Sequence, residues 1–366
     1  MSIGLAALIL PAALLLTPSS PKASPPTEEM PPAQPNVIKL AASLGCPNPE
    51  STFTCLDEFA AASYAKDGVV GLVSTVESWR DAVKPDGLPC HRLMHVFGKN
   101  LAESGSLQEI AAQSSETVGV CANGFFHGVV EGMALHLPAT ELPQRMREFC
   151  SSVPGLGSDC AHSSGHAFAM RNHTDAYAAL EKCDVFAEQD SILCGSGVFM
   201  TFGRGLPGFE DEMSDPWINY TPEVASSICQ SVAEKYTTHC WFLLWMAYLN
   251  NPTLGGAQAY EQVCSALALP DPEKPSEAYR NCYRGLGMLY VGRSSRPAAE
   301  TAAMCPTTKD SRYWCVFSVG WSPMYDHFIT FDTKDGYESI CTDLSPADLK
   351  ACKDGEVYVR EDEGGL

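Results

Sequence analysis

The chain has 366 residues, with 44 acidic against 24 basic side chains and a formal net charge of −20. A surface that acidic repels nucleic-acid phosphates and anionic lipid heads, so nucleic acid is not the expected partner; a metal cation or a basic peptide or protein fits better. Hydrophobic content of 45% provides for a sizeable core and is too high for a disordered chain.

At the front, Ile3 to Leu16 is a nearly unbroken apolar run, the length of a signal-peptide core and short for a membrane span. No Lys or Arg precedes it, so residues 1–24 read as a signal peptide or, alternatively, a short anchor. Residues 25–40 read as a Pro/Ser-rich linker, and no later segment reaches a transmembrane length of uncharged apolar residues. The expected location is secreted, periplasmic or otherwise extracytoplasmic.

The cysteines agree with that location. There are 16, an even number, without the C-x-x-C pairs of zinc ribbons or thioredoxin-like sites and without C-x-x-C-H of haem attachment. A disulfide framework in an oxidising compartment is what remains. Most fall into pairs ten or eleven apart: Cys150 with Cys160, Cys183 with Cys194, Cys229 with Cys240, Cys305 with Cys315, and Cys341 with Cys352. Cys264 and Cys282 are eighteen apart across a Pro-rich insert, and Cys46 and Cys55 form a shorter pair. Cys90 and Cys121 are left over and are expected to bond to each other, the alternative being two buried thiols.

The second cysteines recur every 33 to 46 residues, the size of one helical hairpin. Six residues past each stands a large side chain (His127, His166, Met200, Met246, Met288, Trp321), usually followed by a small one such as Gly128, Ala167 or Ala247. A small residue beside a large one lets neighbouring helices interlock. In each unit a helix ends near the first cysteine, a polar loop follows, and the next helix starts near the second. The expected fold is all-α: disulfide-stapled helical-hairpin repeats over residues 41–353, forming a curved array or bundle of about seven units and about eight disulfides. An acidic, solvated end should follow over 354–366.

Within residues 90–170, three helix starts carry metal-capable side chains four apart: His91 with His95, His127 with Glu131, and His162 with His166. On a helix, that spacing puts both side chains on one face, one turn apart, as metal ligation requires. Five of the nine histidines sit in these three motifs. Later units place Met or Trp where His127 and His166 stand, which argues for a localised purpose. Imidazoles with one carboxylate suit a transition metal, Zn or Fe ahead of Cu. If the site is catalytic, an open coordination position would activate water or oxygen on a small-molecule substrate. Three alternatives stand beside this: polar packing of the histidines, a metal-free His/Glu acid–base site, and a non-enzymatic helical scaffold that binds a peptide or protein. No P-loop, nucleophile elbow, dinucleotide fingerprint or EF-hand loop occurs.

The order C-H-x-x-x-H at Cys90–His95, C-x-x-G-F-x-H-G-V-x-E-G at Cys121–Gly132 and C-x-H-x-x-G-H at Cys160–His166 resembles a group of exported microbial Cys/His-rich helical-repeat proteins. No activity is assigned to that group, so the resemblance implies a shared core and carries no chemistry. Ser163 and Ser164 depart from it, standing where such a motif leads one to expect a glycine.

Overall fold

The computed structural model describes residues 35–45, 52–82, 94–95, 97–99, 101–102, 111, 120–153, 156–172, 175–204, 222–250, 254–267, 276–292, 296–331 and 337–361. Among them the ordered elements are helical and there is no strand, as the missing β-type alternation implies. The helices are α1 (Pro35–Ser43), α2 (Thr52–Ala82), α3 (Gly124–His136), α4 (Leu142–Ser152), α5 (Gly157–Arg171), α6 (Ala176–Cys183) and α7 (Glu188–Arg204). They continue with α8 (Pro222–Ser231), α9 (Glu234–Leu243), α10 (Trp245–Asn250), α11 (Gly256–Ala266), α12 (Glu277–Gly292), α13 (Ala298–Met304), α14 (Lys309–Phe331) and α15 (Pro346–Glu361). A 3₁₀ turn, Val120–Asn123, leads into α3.

Six disulfides close the hairpins in the expected pairs: Cys150–Cys160, Cys183–Cys194, Cys229–Cys240, Cys264–Cys282, Cys305–Cys315 and Cys341–Cys352. Their Cα separations run from 5.3 to 5.9 Å, so each joins the end of one arm to the head of the next without displacing backbone. Cys55 and Cys121 are also disulfide-bonded, and their expected partners Cys46 and Cys90 lie outside the described residues. In the last hairpin the upstream arm is not a helix, because Cys341 lies in the irregular segment 337–345.

Local chemistry sets the helix ends. Asp175 caps α6 by accepting the Ala178 N–H at 3.0 Å. Ser345 caps α15 through the Asp348 N–H at 3.3 Å, with Pro346 at the first helical position. The Asp348 carboxylate then takes two parallel bonds from Arg312 of α14, at 2.8 and 2.9 Å, which ties the last two helices together. Helix α15 runs through much of the segment expected as an acidic end, as far as Glu361, and Glu356 is 3% exposed. Two acidic residues there have local partners, Asp354 with Lys350 and Glu356 with Lys353, one turn apart on the helix.

The downstream arms form the inner layer. Helix α3 packs on α5, α5 on α7, α7 on α9, α9 on α12, α12 on α14 and α14 on α15. Helix α14 also packs against the 3₁₀ turn at the head of α3, so the succession curves back towards its start. One contiguous core runs through the layer, from Leu56 to Cys352.

Glycines bring these helices together. A Cβ on Gly165 would fall closer than 3.0 Å to the Cys194 carbonyl, and one on Gly197 closer than 3.0 Å to the His162 carbonyl. The same reciprocal contact joins Gly98 with Phe125 and Gly128 with His95, and Gly320 with Cys352 and Gly355 with Phe317. Where α5 and α7 cross, and again where α14 and α15 cross, each helix presses a carbonyl onto the other's glycine. Gly128 lies seven past its cysteine, where the small residue is expected, whereas Gly165 and Gly320 lie five past theirs and Gly197 and Gly355 three.

Candidate metal centre

The candidate side chains come from three neighbouring inner-layer segments. His95 belongs to the helical residues 94–95, His127 and Glu131 to α3, and His162 and His166 to α5. His91 lies outside the described residues. The head of α3 is wound tightly: Cys121 and Asn123 are non-glycine residues in the left-handed region, at φ 51° and 60°. The Asn123 side-chain amide donates to the carboxylate of Asp159 in the first turn of α5. That bond fixes the heads of α3 and α5, and with them the relative height of the two candidate pairs. Burial raises the Asp159 pKa above the usual carboxylate value.

The five described residues meet in one cluster. The His95 and His127 rings stand edge to face with centroids 5.0 Å apart. His127 lies 5.6 Å from both His162 and His166, and those two are 4.9 Å apart. Glu131 pairs with His95 Nδ1 at 3.1 Å through Oε2. Glu131 is 2% exposed, and its Oε1 is buried without a hydrogen-bond partner. The sequence pattern therefore located side chains that do converge, from segments 36 residues apart in the chain.

The hydroxyls behind the imidazoles define which nitrogens face inward. His162 Nδ1 lies 2.7 Å from Ser196 Oγ, and Ser196 gives its own hydrogen to the Leu193 carbonyl at 2.7 Å. With its hydrogen given to Leu193, Ser196 accepts from His162 Nδ1, the tautomer that leaves a lone pair on Nε2. His166 repeats the arrangement, with Nδ1 2.6 Å from Thr201 Oγ1 and the Thr201 hydroxyl 3.1 Å from the Gly197 carbonyl. The two Nε2 atoms face each other at 3.2 Å. That separation subtends roughly 100° at an ion bound at about 2.05 Å to each nitrogen, close to the tetrahedral value. Burial, then the field of His239, holds the His162 pKa down to about 4, so at neutral pH the ring is an uncharged donor of electrons.

Among the described residues, no three His, Cys, Asp or Glu side chains already close around a single point. The His162/His166 pair is preformed, whereas His127 and Glu131 would have to turn towards it to complete a ligand set. Ser163 and Ser164, the departures from the motif, are fully buried; each hydroxyl donates to the carbonyl four residues back, at 2.7 and 2.8 Å, so neither intrudes on the cluster.

One residue of the neighbourhood is not found by spacing. His239, on α9, has a buried Nδ1 without a partner, and burial, then the nearby Arg284, pulls its pKa down to about 4. Its charge acts on His162, which places it close to the cluster's flank. It has no companion four residues away, and the only signal in the sequence is its place beside Cys240, as His91 stands beside Cys90.

No protein family, curated protein or solved structure matches the chain. Its class is defined by its own features: an all-α protein, stapled by disulfides, in which His95, His127, Glu131, His162 and His166 come together from three segments. No helix among the described residues is long and apolar enough to cross a membrane.

Proposed function

We propose that this is an extracytoplasmic metal-binding protein whose centre is built by His162 and His166, completed by His127 and Glu131, with His95 held beside Glu131 and His91 as the sixth candidate. The observation that carries the reading is the pair of Nε2 atoms 3.2 Å apart, each ring anchored from behind by a hydroxyl. Metal-bound imidazoles are typically held in this way, with the far nitrogen fixed by an outer partner. A buried carboxylate oxygen without a partner supports it further. A dense set of disulfides supports an oxidising compartment. Zinc suits a near-tetrahedral nitrogen pair best, with iron and copper as the next ions to try. With an open coordination position, the centre would activate water or oxygen, which makes a metalloenzyme the stronger form of this proposal.

The test is metal content by mass spectrometry, on protein exported to an oxidising compartment and purified without chelator or His tag. Wild type is expected to hold one or two equivalents, lost in the His162→Ala/His166→Ala double variant. Wild type that stays metal-free after exposure to zinc, iron and copper would sink the proposal.

A second reading rests on the same atoms. If Thr201 gives its hydrogen to His166 Nδ1, then His166 Nε2–H can donate to His162 Nε2, and the network is closed without metal. That is a proton relay suited to acid–base work. The nitrogen-15 shifts of the two imidazoles separate the readings, because the relay puts one proton on His166 Nε2 and the metal site puts none there.

A further inference from the structure

We propose that Glu131 is the specificity-determining residue of the centre: its carboxylate makes the site take a divalent ion in preference to a monovalent one. This rests on the metal-binding reading above and names the charge class of its ion.

The reason is charge. The imidazoles of the cluster are neutral ligands, so a divalent ion held by them alone would be a bare double charge in a buried place. An unpaired buried charge is among the costliest things a protein can hold, and the cost rises steeply with charge. A monovalent ion with the same ligands demands far less compensation. Among the described residues that meet in the cluster, Glu131 is the carboxylate. It is on the same face of α3 as His127, one turn on. Oε2 is engaged with His95 at 3.1 Å, while Oε1 is buried and has no partner. A carboxylate at 2% exposure with one oxygen unsatisfied is costly to the fold by itself. That cost is understandable if the missing partner is a cation.

The experiment compares two ions in three proteins. Zinc(II) and silver(I) affinities are measured by calorimetry, with a competing chelator where binding is tight, for wild type, Glu131→Gln and Glu131→Asp. Glu131→Gln keeps the shape and removes the charge. It is expected to weaken zinc by about 10–100-fold, the usual consequence of losing a group that supports a metal site, while silver changes by less than about threefold. Glu131→Asp is expected to keep the preference for zinc. The readout is the ratio of the two affinities, which a merely structural role would leave unmoved. An equal drop for both ions, or no drop for either, overturns the assignment of Glu131 while leaving the metal site standing. A wild type that binds neither ion overturns the metal reading and this inference with it. If Glu131→Gln does not fold, Glu131→Met removes the same charge with matched length, and replacing a buried charge by an apolar group is often neutral for folding.

Discussion

Replacing Gly197 by alanine is expected to destabilise the fold by at least about 3 kcal/mol, at or beyond the upper end of ordinary overpacking. The new Cβ would overlap the His162 carbonyl and would sit 3.0 Å from its carbon and 3.2 Å from Gly165 Cα. These are backbone atoms of a helix pressed back to back with α7, so no side chain can swing aside and the two helices must part. Parting them breaks more than packing. The bonds from His162 to Ser196 and from His166 to Thr201 both span this crossing, at 2.7 and 2.6 Å, and both orient the imidazoles. Gly292→Ala supplies the contrast. There the nearest atom is the end of a Leu249 side chain at 3.3 Å, which can give way, and alanine is the better helix former. Its expected effect is within about 1 kcal/mol of zero, in the stabilising direction. Urea titration of both variants measures the difference. A Gly197→Ala protein as stable as Gly292→Ala would show that the helices are not held at that distance.

The disulfide pairs could be read from the sequence because a covalent bridge between consecutive arms leaves a fixed trace: two cysteines separated by one short loop. Six of those pairs are bonded as the spacing implies. The i, i+4 pairs were legible for a similar reason, since helix geometry alone puts His162 above His166 and His127 above Glu131. What brings one helix against the next is not local. The crossing point depends on how two helices tilt, and the sequence around a cysteine says only that small residues are available. Ala167, Thr201 and Ala247 are fully or almost fully buried, as small core residues should be, but the backbones touch at Gly165 and Gly197 instead. His239 was invisible for the same reason. It reaches the flank of the cluster through the packing of α9 on α7, and no periodicity within its own helix announces that. Nor does composition tell a solvated acidic end from a helix with charges paired one turn apart. Here Glu356, held by Ser339 and Lys353, belongs to the packed structure.

The metal-free protein is expected to lose stability as the pH falls from about 6.5 to about 4, well before ordinary carboxylates titrate. His162 and His239 both have folded-state pKa values of about 4, against 6.5 for a free imidazole, with burial as the leading cause in each. The folded state holds them neutral, whereas the unfolded chain protonates them readily. Between the two values the unfolded state therefore binds more protons, and stability rises with pH. The contribution is complete above the unfolded value of 6.5 and is lost as the pH falls towards the folded value of about 4. Each tenfold change in a ring's proton affinity is worth about 1.4 kcal/mol, which makes the loss at most about 3 kcal/mol per histidine. Asp159, whose pKa is raised by burial, acts in the opposite sense and softens the slope. At Asp348 and Asp354 burial is outweighed by the bonds from Arg312 and from Lys350, which lower both pKa values. Those two carboxylates lose their contributions only below the ordinary carboxylate range, so they do not obscure the window. Urea midpoints measured from about pH 7.5 to about 4 in the presence of a chelator should trace this fall. His162→Gln should reduce the slope, because it deletes a depressed imidazole and keeps a polar group of similar reach. A midpoint that does not move between about pH 6.5 and about 5 would mean that these rings are open to water and protonate in the folded state as freely as in the unfolded one. A cluster so hydrated would not need a carboxylate to compensate a bound cation, so the same titration also bears on the role proposed for Glu131.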